Sequence, residues 1–219
     1  LKTIIGLAPA ESSSNGVSSI GSALNITIPS IILSGSQDGV TPPIDHHIPI
    51  YNNLYSDCKT FISISGGGHC YFANSNVFCD LIESTSSTGI SISREEQQNI
   101  TFVFLNLWLD YTLKNDCGDF DVFQDSLMTS QKITYDQSCL QNPIPNIIEI
   151  EGVLTSSIIG TGYQWYLNNN SILNANEFAY TPIINGIYNV DVFFSSGCPI
   201  FSNPYNFIDE LDIFAKLKP

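Results

Sequence analysis

Two short passages hold residues able to move protons. Ile31-Ile32-Leu33-Ser34-Gly35-Ser36-Gln37-Asp38-Gly39-Val40-Thr41-Pro42-Pro43 is an apolar run ending in a turn with an acid at its tip. Phe61-Ile62-Ser63-Ile64-Ser65-Gly66-Gly67-Gly68-His69 is a second such run, ending in glycines and a histidine. A carboxylate beside an imidazole fixes its tautomer and stabilises its protonated form, leaving the far ring nitrogen free to take a proton from a hydroxyl. Alone, Asp38 reads as a turn or cap residue and His69 as an ordinary histidine. Together, in the order acid then histidine, they form a candidate catalytic pair.

Their neighbours carry weaker signals. Tyr71 and Phe72 follow His69 and are candidates for lining an acyl or aromatic substrate pocket, with core packing as the competing use. His46 and His47, beside Asp45, read as solvated surface residues at the start of a helix, with metal ligation as the alternative. Gly66-Gly67-Gly68 precedes no helix opening with Lys-Ser or Lys-Thr, so it does not read as a phosphate cradle.

The elements that must position Asp38 and His69 follow from the apolar pattern. Leu1–Leu7, Ile28–Leu33 and Phe61–Ile64 are short apolar runs bounded by turn residues, the pattern of buried parallel strands. Between the last two, Ile48, Ile50, Tyr51, Leu54 and Tyr55 mark a helical stripe interrupted by Pro49. Strand, helix, strand implies a βαβ crossover with active residues on loops at the carboxyl ends of strands. A longer helix is expected to open at Ser93, whose side chain and Glu96 form a capping box, and to end near Lys114. Its stripe is Ile100, Val103, Phe104, Leu107, Trp108 and Tyr111. The acidic stretch Asp116–Asp125 carries Phe120, Val122 and Phe123, so it is expected to pack back onto this domain.

Composition limits the partners. Apolar residues are 43% and charged residues 13% of the 219, a globular balance with a surface rich in Ser, Asn, Thr and Gln. A formal charge of -14 argues against binding phosphate backbones or anionic lipid, so no nucleic-acid partner is expected. No apolar run is long enough to span a membrane. The chain opens on Leu1 inside an apolar stretch, without Met, so a longer parent protein is the expectation.

Cys58, Cys70, Cys79, Cys117, Cys139 and Cys198 lack the C-x-x-C spacing of a zinc site, and none of the motifs implies a metal or other cofactor. Local disulfides Cys70 with Cys79 and Cys117 with Cys139 are candidates in an oxidising compartment. Buried free thiols are the alternative, and the full connectivity stays open.

From Ile28 to His69 the sequence resembles the dienelactone-hydrolase and cutinase-like polyester-hydrolase branch of the α/β-hydrolases. Asp38 with Pro42 matches that group's D-x-x-x-P acid turn, and Gly66-Gly67-x-His69 matches its G-G-x-H histidine loop. The helix containing Leu107-Trp108-Leu109-Asp110-Tyr111 resembles the group's last helix, so the likeness covers about residues 1–115. It implies an α/β class, the C-terminal part of a hydrolase sheet, with an ester, small or polymeric, as substrate. It also implies a serine nucleophile on a Gly-x-Ser-x-Gly elbow. No such pentapeptide occurs between Leu1 and Pro219; Gly35-Ser36-Gln37-Asp38-Gly39 has its serine out of place. The upstream half of the domain is therefore expected to supply nucleophile and oxyanion hole, and this chain alone is expected to be inactive.

After Gln141-Asn142-Pro143-Ile144-Pro145 the rhythm changes. Ile147–Ile150, Tyr163–Leu167, Glu177–Tyr180 and Gly186–Phe194 read as strands of a small all-β module, with turns at Asn168-Asn169-Asn170 and Ile184-Asn185-Gly186. Tyr163-Gln164-Trp165-Tyr166-Leu167-Asn168 and Gly186-Ile187-Tyr188-Asn189-Val190 resemble the immunoglobulin-like modules of secreted Bacteroidetes-type proteins, although Asn169 stands where that pattern has glycine. The resemblance implies Trp165 in a sandwich core and Tyr188 near a corner. Carbohydrate binding through exposed aromatics is the competing use. Leu211–Pro219 resembles the entry to a type IX secretion sorting domain, which implies export to the medium or cell surface.

The expected organisation is a hydrolase part at 1–140, a linker at 141–146, an immunoglobulin-like sandwich at 147–208 and a sorting segment at 209–219. The leading expectation is part of a secreted serine ester hydrolase. A non-catalytic secreted binding or adhesion protein with a degenerate hydrolase remnant, and a serine peptidase of the same fold, are the alternatives.

Overall fold

The computed structural model describes residues 1–13, 16, 18–139, 143–194 and 198–208. Expectations for Gln141 and Asn142 of the linker, and for the sorting segment at 209–219, fall outside them. The chain divides into two compact units, Leu1–Leu140 and Gln141–Pro219.

The first unit runs β1 (Ile4–Leu7), α1 (Ser19–Ala23), β2 (Ser30–Gly35), α2 (His47–Asn53), β3 (Cys58–Ile64), α3 (Val77–Ser86), α4 (Arg94–Leu109), α5 (Cys117–Thr129) and β4 (Ile133–Cys139). The sheet order is β1-β2-β3-β4. The first three strands are parallel and β4 joins β3 antiparallel. Every residue of β2 is buried, as a continuous apolar run in a sheet covered on both faces requires. Ile31 and Leu33 of β2, with Ile62 and Ile64 of β3, pack on Ile100, Phe104 and Trp108 of α4 and on Phe123 and Leu127 of α5. Ile32 and Phe61 face the other way, onto Ala23 of α1, Ile50 and Tyr51 of α2, and Leu54. The period of two along each strand thus builds two cores on opposite faces of one mixed sheet.

Caps set the helix boundaries. Ser93 accepts a hydrogen bond from the Glu96 amide as α4 starts. Beyond Leu109 the chain continues as a π-helical turn, Asp110–Lys114, closed by Asn115 in the left-handed conformation, so the helical run ends at Lys114 as its stripe predicts. The acidic stretch forms α5 and packs as expected. Three elements of this unit were not foreseen, the short α1 among them. Helix α3, capped by Asn76, leaves Val77, Phe78 and Leu81 exposed, so its apolar residues do not trace a core-facing stripe. Edge strand β4 buries only Ile133, with no apolar alternation to betray it.

The disulfides correct one pairing. Cys70 joins Cys79 as expected, but Cys139 joins Cys58. These two face each other directly in the β3–β4 register, with Cα atoms 3.8 Å apart. Cys117, expected opposite Cys139, is disulfide-bonded elsewhere, and no cysteine is a free thiol.

The second unit contains β5 (Ile147–Ile150), β6 (Val153–Ser156), β7 (Gly162–Leu167), β8 (Asn170–Ser171), β9 (Ala179–Tyr180), β10 (Gly186–Phe193), β11 (Ile200–Phe201) and β12 (Tyr205–Phe207). One antiparallel sheet has the order β5-β6-β9; the other has β11-β10-β7-β8, with β12 also on β10. Ile147 and Leu154 from the first sheet share one core with Trp165, Tyr188, Val190 and Val192 from the second. Asn168 and Asn169 both have positive φ, as a tight hairpin between β7 and β8 demands. Asparagine tolerates that conformation, which explains why a glycine position can be filled by Asn169. Along β10, Tyr188, Val190 and Val192 enter this core, and Asn189 between them on the opposite face is an exception to period-two exposure. It is buried, with its amide donating to the Ser202 carbonyl at 3.1 Å.

Candidate active site

The sheet register brings Asp38 and His69 together. Parallel pairing of β2 with β3 runs to Gly35 opposite Ile64, so the loops leaving both strands emerge side by side. They are then laced to each other. The Ser36 amide donates to the Ile64 carbonyl at 2.9 Å and the Gln37 amide to the Gly67 carbonyl at 2.8 Å. The Gly66 amide donates to Ser36 Oγ at 2.8 Å. Gly35 permits this closeness, because a Cβ there would lie 2.6 Å from the Gly67 carbonyl oxygen. Gly66 has φ +73°, a turn that a side chain would strain.

Across this junction Asp38 Oδ2 lies 2.9 Å from His69 Nδ1. The Asp38 side chain is fully buried, whereas a quarter of the His69 side chain reaches solvent. A buried carboxylate must be hydrogen-bonded to stay ionised. Asp38 Oδ1 accepts from the amides of Val40 at 2.9 Å and Thr41 at 2.7 Å, and Oδ2 also meets Thr41 Oγ1 at 3.1 Å. Burial by itself would raise the Asp38 carboxyl. The bonds from His69 and the Thr41 amide, with the charges of both histidines, outweigh it and hold the group below the ordinary carboxylate value. In return the hydrogen bond to Asp38 raises His69 above an ordinary histidine, against its own partial burial, with Glu83 adding to the effect.

Residues on the neighbouring loops and helices support this pair. Thr41 Oγ1 is 2.8 Å from His69 Nδ1 and 3.0 Å from His47 Nε2. His47 is completely buried, which overturns its expected place at the surface. Its Nδ1 meets Ser34 Oγ at 2.7 Å, so both ring nitrogens are engaged by hydroxyls, and burial drives its pKa down to about 4. His46 is half-buried, and its Nδ1 accepts from the Glu11 amide at 2.9 Å.

Gln97 of α4 is fully buried and pins the glycine loop. Its Nε2 donates to the Gly68 carbonyl at 2.8 Å and its Oε1 accepts from the Gly68 amide at 2.9 Å. Glu83 of α3, also buried, accepts from the Cys70 amide and the Ser87 hydroxyl, while Ser87 Oγ accepts from the Gly39 amide at 2.8 Å. Helix α3 therefore bridges the acid and histidine loops, and the Cys70–Cys79 disulfide holds it there. The only sequence clue to α3 was the cap residue Asn76. Nothing local marks Gln97, because its role depends on a loop 29 positions away.

Tyr71 packs its ring under Arg94, 4.7 Å from the guanidinium. It helps line a pocket of about 490 Å³ with Asp80, Glu83, Ser87 and Arg94. Its lining mixes these charged and polar groups with Tyr71 and Ile90. Phe72 packs, partly buried, against the core of the first unit.

No curated protein matches this sequence. Residues 1–88, which carry β1 to α3 together with Asp38 and His69, match the family model described as PETase, PET hydrolase-like, and this supports the hydrolase branch for that part of the chain.

Proposed function

We propose that the first unit supplies the acid and the base of a serine ester hydrolase. One observation carries the reading. Adjacent parallel strands place a buried, fully hydrogen-bonded Asp38 carboxylate 2.9 Å from Nδ1 of a partly exposed His69. Asp38 orients the ring and His69 moves the proton. As a serine hydroxyl adds to the ester carbonyl, its proton passes to His69 Nε2, and the imidazolium is stabilised by Asp38. Collapse of the tetrahedral intermediate returns that proton to the departing alkoxide and leaves an acyl-enzyme. Water, deprotonated by His69, then releases the acid and regenerates the serine.

Serine and oxyanion hole belong, in this reading, to polypeptide outside these 219 residues, which hold no Gly-x-Ser-x-Gly elbow. The PET hydrolase-like match over residues 1–88 favours carboxylic esters, polyesters included, over peptides. Disulfides support an oxidising, extracellular setting, and among the described residues no helix is long and apolar enough to cross a membrane.

We read the second unit as an immunoglobulin-like accessory sandwich. Trp165 of β7 is buried opposite Val190 of β10. The Tyr188 hydroxyl donates to the Ile184 carbonyl at 2.8 Å, in the manner of a tyrosine corner. Both aromatics are fully buried, which favours a packing role for them over carbohydrate stacking.

Hydrolysis of short p-nitrophenyl esters by the full-length protein tests the catalytic reading. The expected result is turnover that falls by about 10⁴-fold in Asp38→Asn and to near background in His69→Ala. Cleavage of peptides but not esters would replace the esterase by a peptidase. Wild-type turnover unchanged in His69→Ala would overturn the pair's role.

A further inference from the structure

Behind the Asp38–His69 pair lies a second imidazole that the mechanism above does not use. His47 is sealed from solvent, with Ser34 Oγ 2.7 Å from Nδ1 and Thr41 Oγ1 3.0 Å from Nε2. Thr41 is the hub. Its one hydroxyl lies within hydrogen-bond distance of Asp38 Oδ2, His69 Nδ1 and His47 Nε2, at 3.1, 2.8 and 3.0 Å.

Proton accounting decides how this cluster is arranged, because a hydroxyl has one proton and two lone pairs. An ionised Asp38 only accepts, so His69 Nδ1 carries a proton towards it. Were His47 protonated on Nδ1, its bare Nε2 would take the Thr41 proton. Asp38 Oδ2 and Thr41 Oγ1 would then face each other at 3.1 Å with no proton between them, in a site without water's screening. With the proton on Nε2, every group is satisfied. Ser34 donates to His47 Nδ1, His47 Nε2 donates to Thr41 Oγ1, and the Thr41 proton points at Asp38 Oδ2. Ser34 has no better use for its proton, since its other acceptor, the Gly35 carbonyl, is 3.4 Å away.

We propose that His47 is a positioning residue for the candidate catalytic pair: as the buried Nε2–H tautomer it orders a one-way hydrogen-bond chain, Ser34 to His47 to Thr41 to Asp38. The chain gives the carboxylate a fourth donor besides the two loop amides and His69. It rests on the reading of Asp38 and His69 as acid and base, and adds the device that keeps Asp38 ionised and aimed. The relay works only while His47 is neutral. Its charged or titratable neighbours are Asp38, His69 and His46, and Glu83 acts on the far side of His69. The sequence gives no warning of it, because Ser34, Thr41 and His47 meet only when the turn after β2 folds back over α2.

The test is NMR on the full-length protein labelled with ¹⁵N-histidine and ¹³C-aspartate. Ring-nitrogen shifts and couplings to ring protons report the tautomer of each histidine, and carboxyl shifts follow Asp38 titration. Wild-type His47 is expected as the neutral Nε2–H form at pH 7 and pH 5, which requires no variant to fold. Thr41→Val and His47→Leu should each raise the proton affinity of Asp38 by roughly tenfold, and Thr41→Ser should restore it. His47 protonated on Nδ1, or charged at pH 5, would overturn the relay. An Asp38 titration that moves in Thr41→Val but not in His47→Leu would do the same. These outcomes are separable from those of the ester assay: a wrong tautomer beside an active hydrolase removes the relay alone, and the right tautomer beside an inactive protein removes the hydrolase alone.

Discussion

A neutral imidazole enclosed between two hydroxyls becomes a liability in acid. The unfolded chain binds a proton at His47 near pH 6.5, whereas the folded site refuses it until about pH 4. More protons are then bound by the unfolded state, so stability is complete above pH 6.5 and is lost as pH falls through that window. The loss is on the order of 3 kcal/mol. Asp38 acts in the same direction at lower pH, its depressed pKa withdrawing stability as the carboxyl is protonated. His69 acts oppositely: its raised pKa adds stability below pH 6.5 that is lost as pH rises through the folded value. Urea unfolding of the first unit's transition at pH 7, 5.5 and 4 should therefore show a steep fall in the wild type. His47→Leu should flatten it; an unchanged slope would place the acid sensitivity elsewhere. Asp38 and His69 were legible because strand and turn patterns announce where they stand. His47 was misread because a histidine beginning a short helix looks solvent-facing until the loop carrying Thr41 closes over it.

Helices α3 and α4 act on the site through backbone atoms. Gln97 satisfies both polar groups of Gly68, one residue before His69, from a wholly buried position. Gln97→Leu keeps much of the volume but leaves that amide and carbonyl unpaired. It should cost about 2–4 kcal/mol by chemical denaturation and lower turnover more than it raises KM, because the histidine loop loses its anchor. A substitution that destabilises without touching turnover would show the loop to be held by the Ser36 and Gln37 bonds, and by the Ser91 amide donating to the Gly66 carbonyl at 3.0 Å, alone. Strands β1 to β3 and helix α4 could be read from the sequence, since their apolar residues follow the period of the element and their caps are local. Helix α3 and strand β4 could not. Their apolar residues are mostly exposed or absent, and each is fixed by distant partners: α3 by Glu83 and Cys79, β4 by its register on β3. The same strand pairing reassigned Cys139, which proximity in sequence had given to Cys117.

Over the whole chain, two units with separate cores use different periods, helical stripes with buried strands in one and alternating strands in the other. That contrast placed the change of architecture near the Pro143-Ile144-Pro145 passage. In the second unit Trp165 and Tyr188 were marked only by the resemblance to immunoglobulin-like modules; both are buried, and each then needs a polar partner as well as a pocket. Glu177 and Ile184 carbonyls supply those partners. The short strands β6, β8, β11 and β12 were missed, having two to four residues each and little room for a period. A charge of -14 gives the molecule no electrostatic reason to seek nucleic acid, and an uncharged ester fits it better than an anionic substrate. In the proposed mechanism Asp38 and His69 serve a serine lying outside residues 1–219. Labelling the full-length protein with a fluorophosphonate probe, then mapping the modified peptide by mass spectrometry, addresses this at the reacting atom. Label is expected on one serine outside this segment, abolished in His69→Ala and weakened in Asp38→Asn; a folded protein that takes no label, or takes it equally in His69→Ala, would overturn the mechanism.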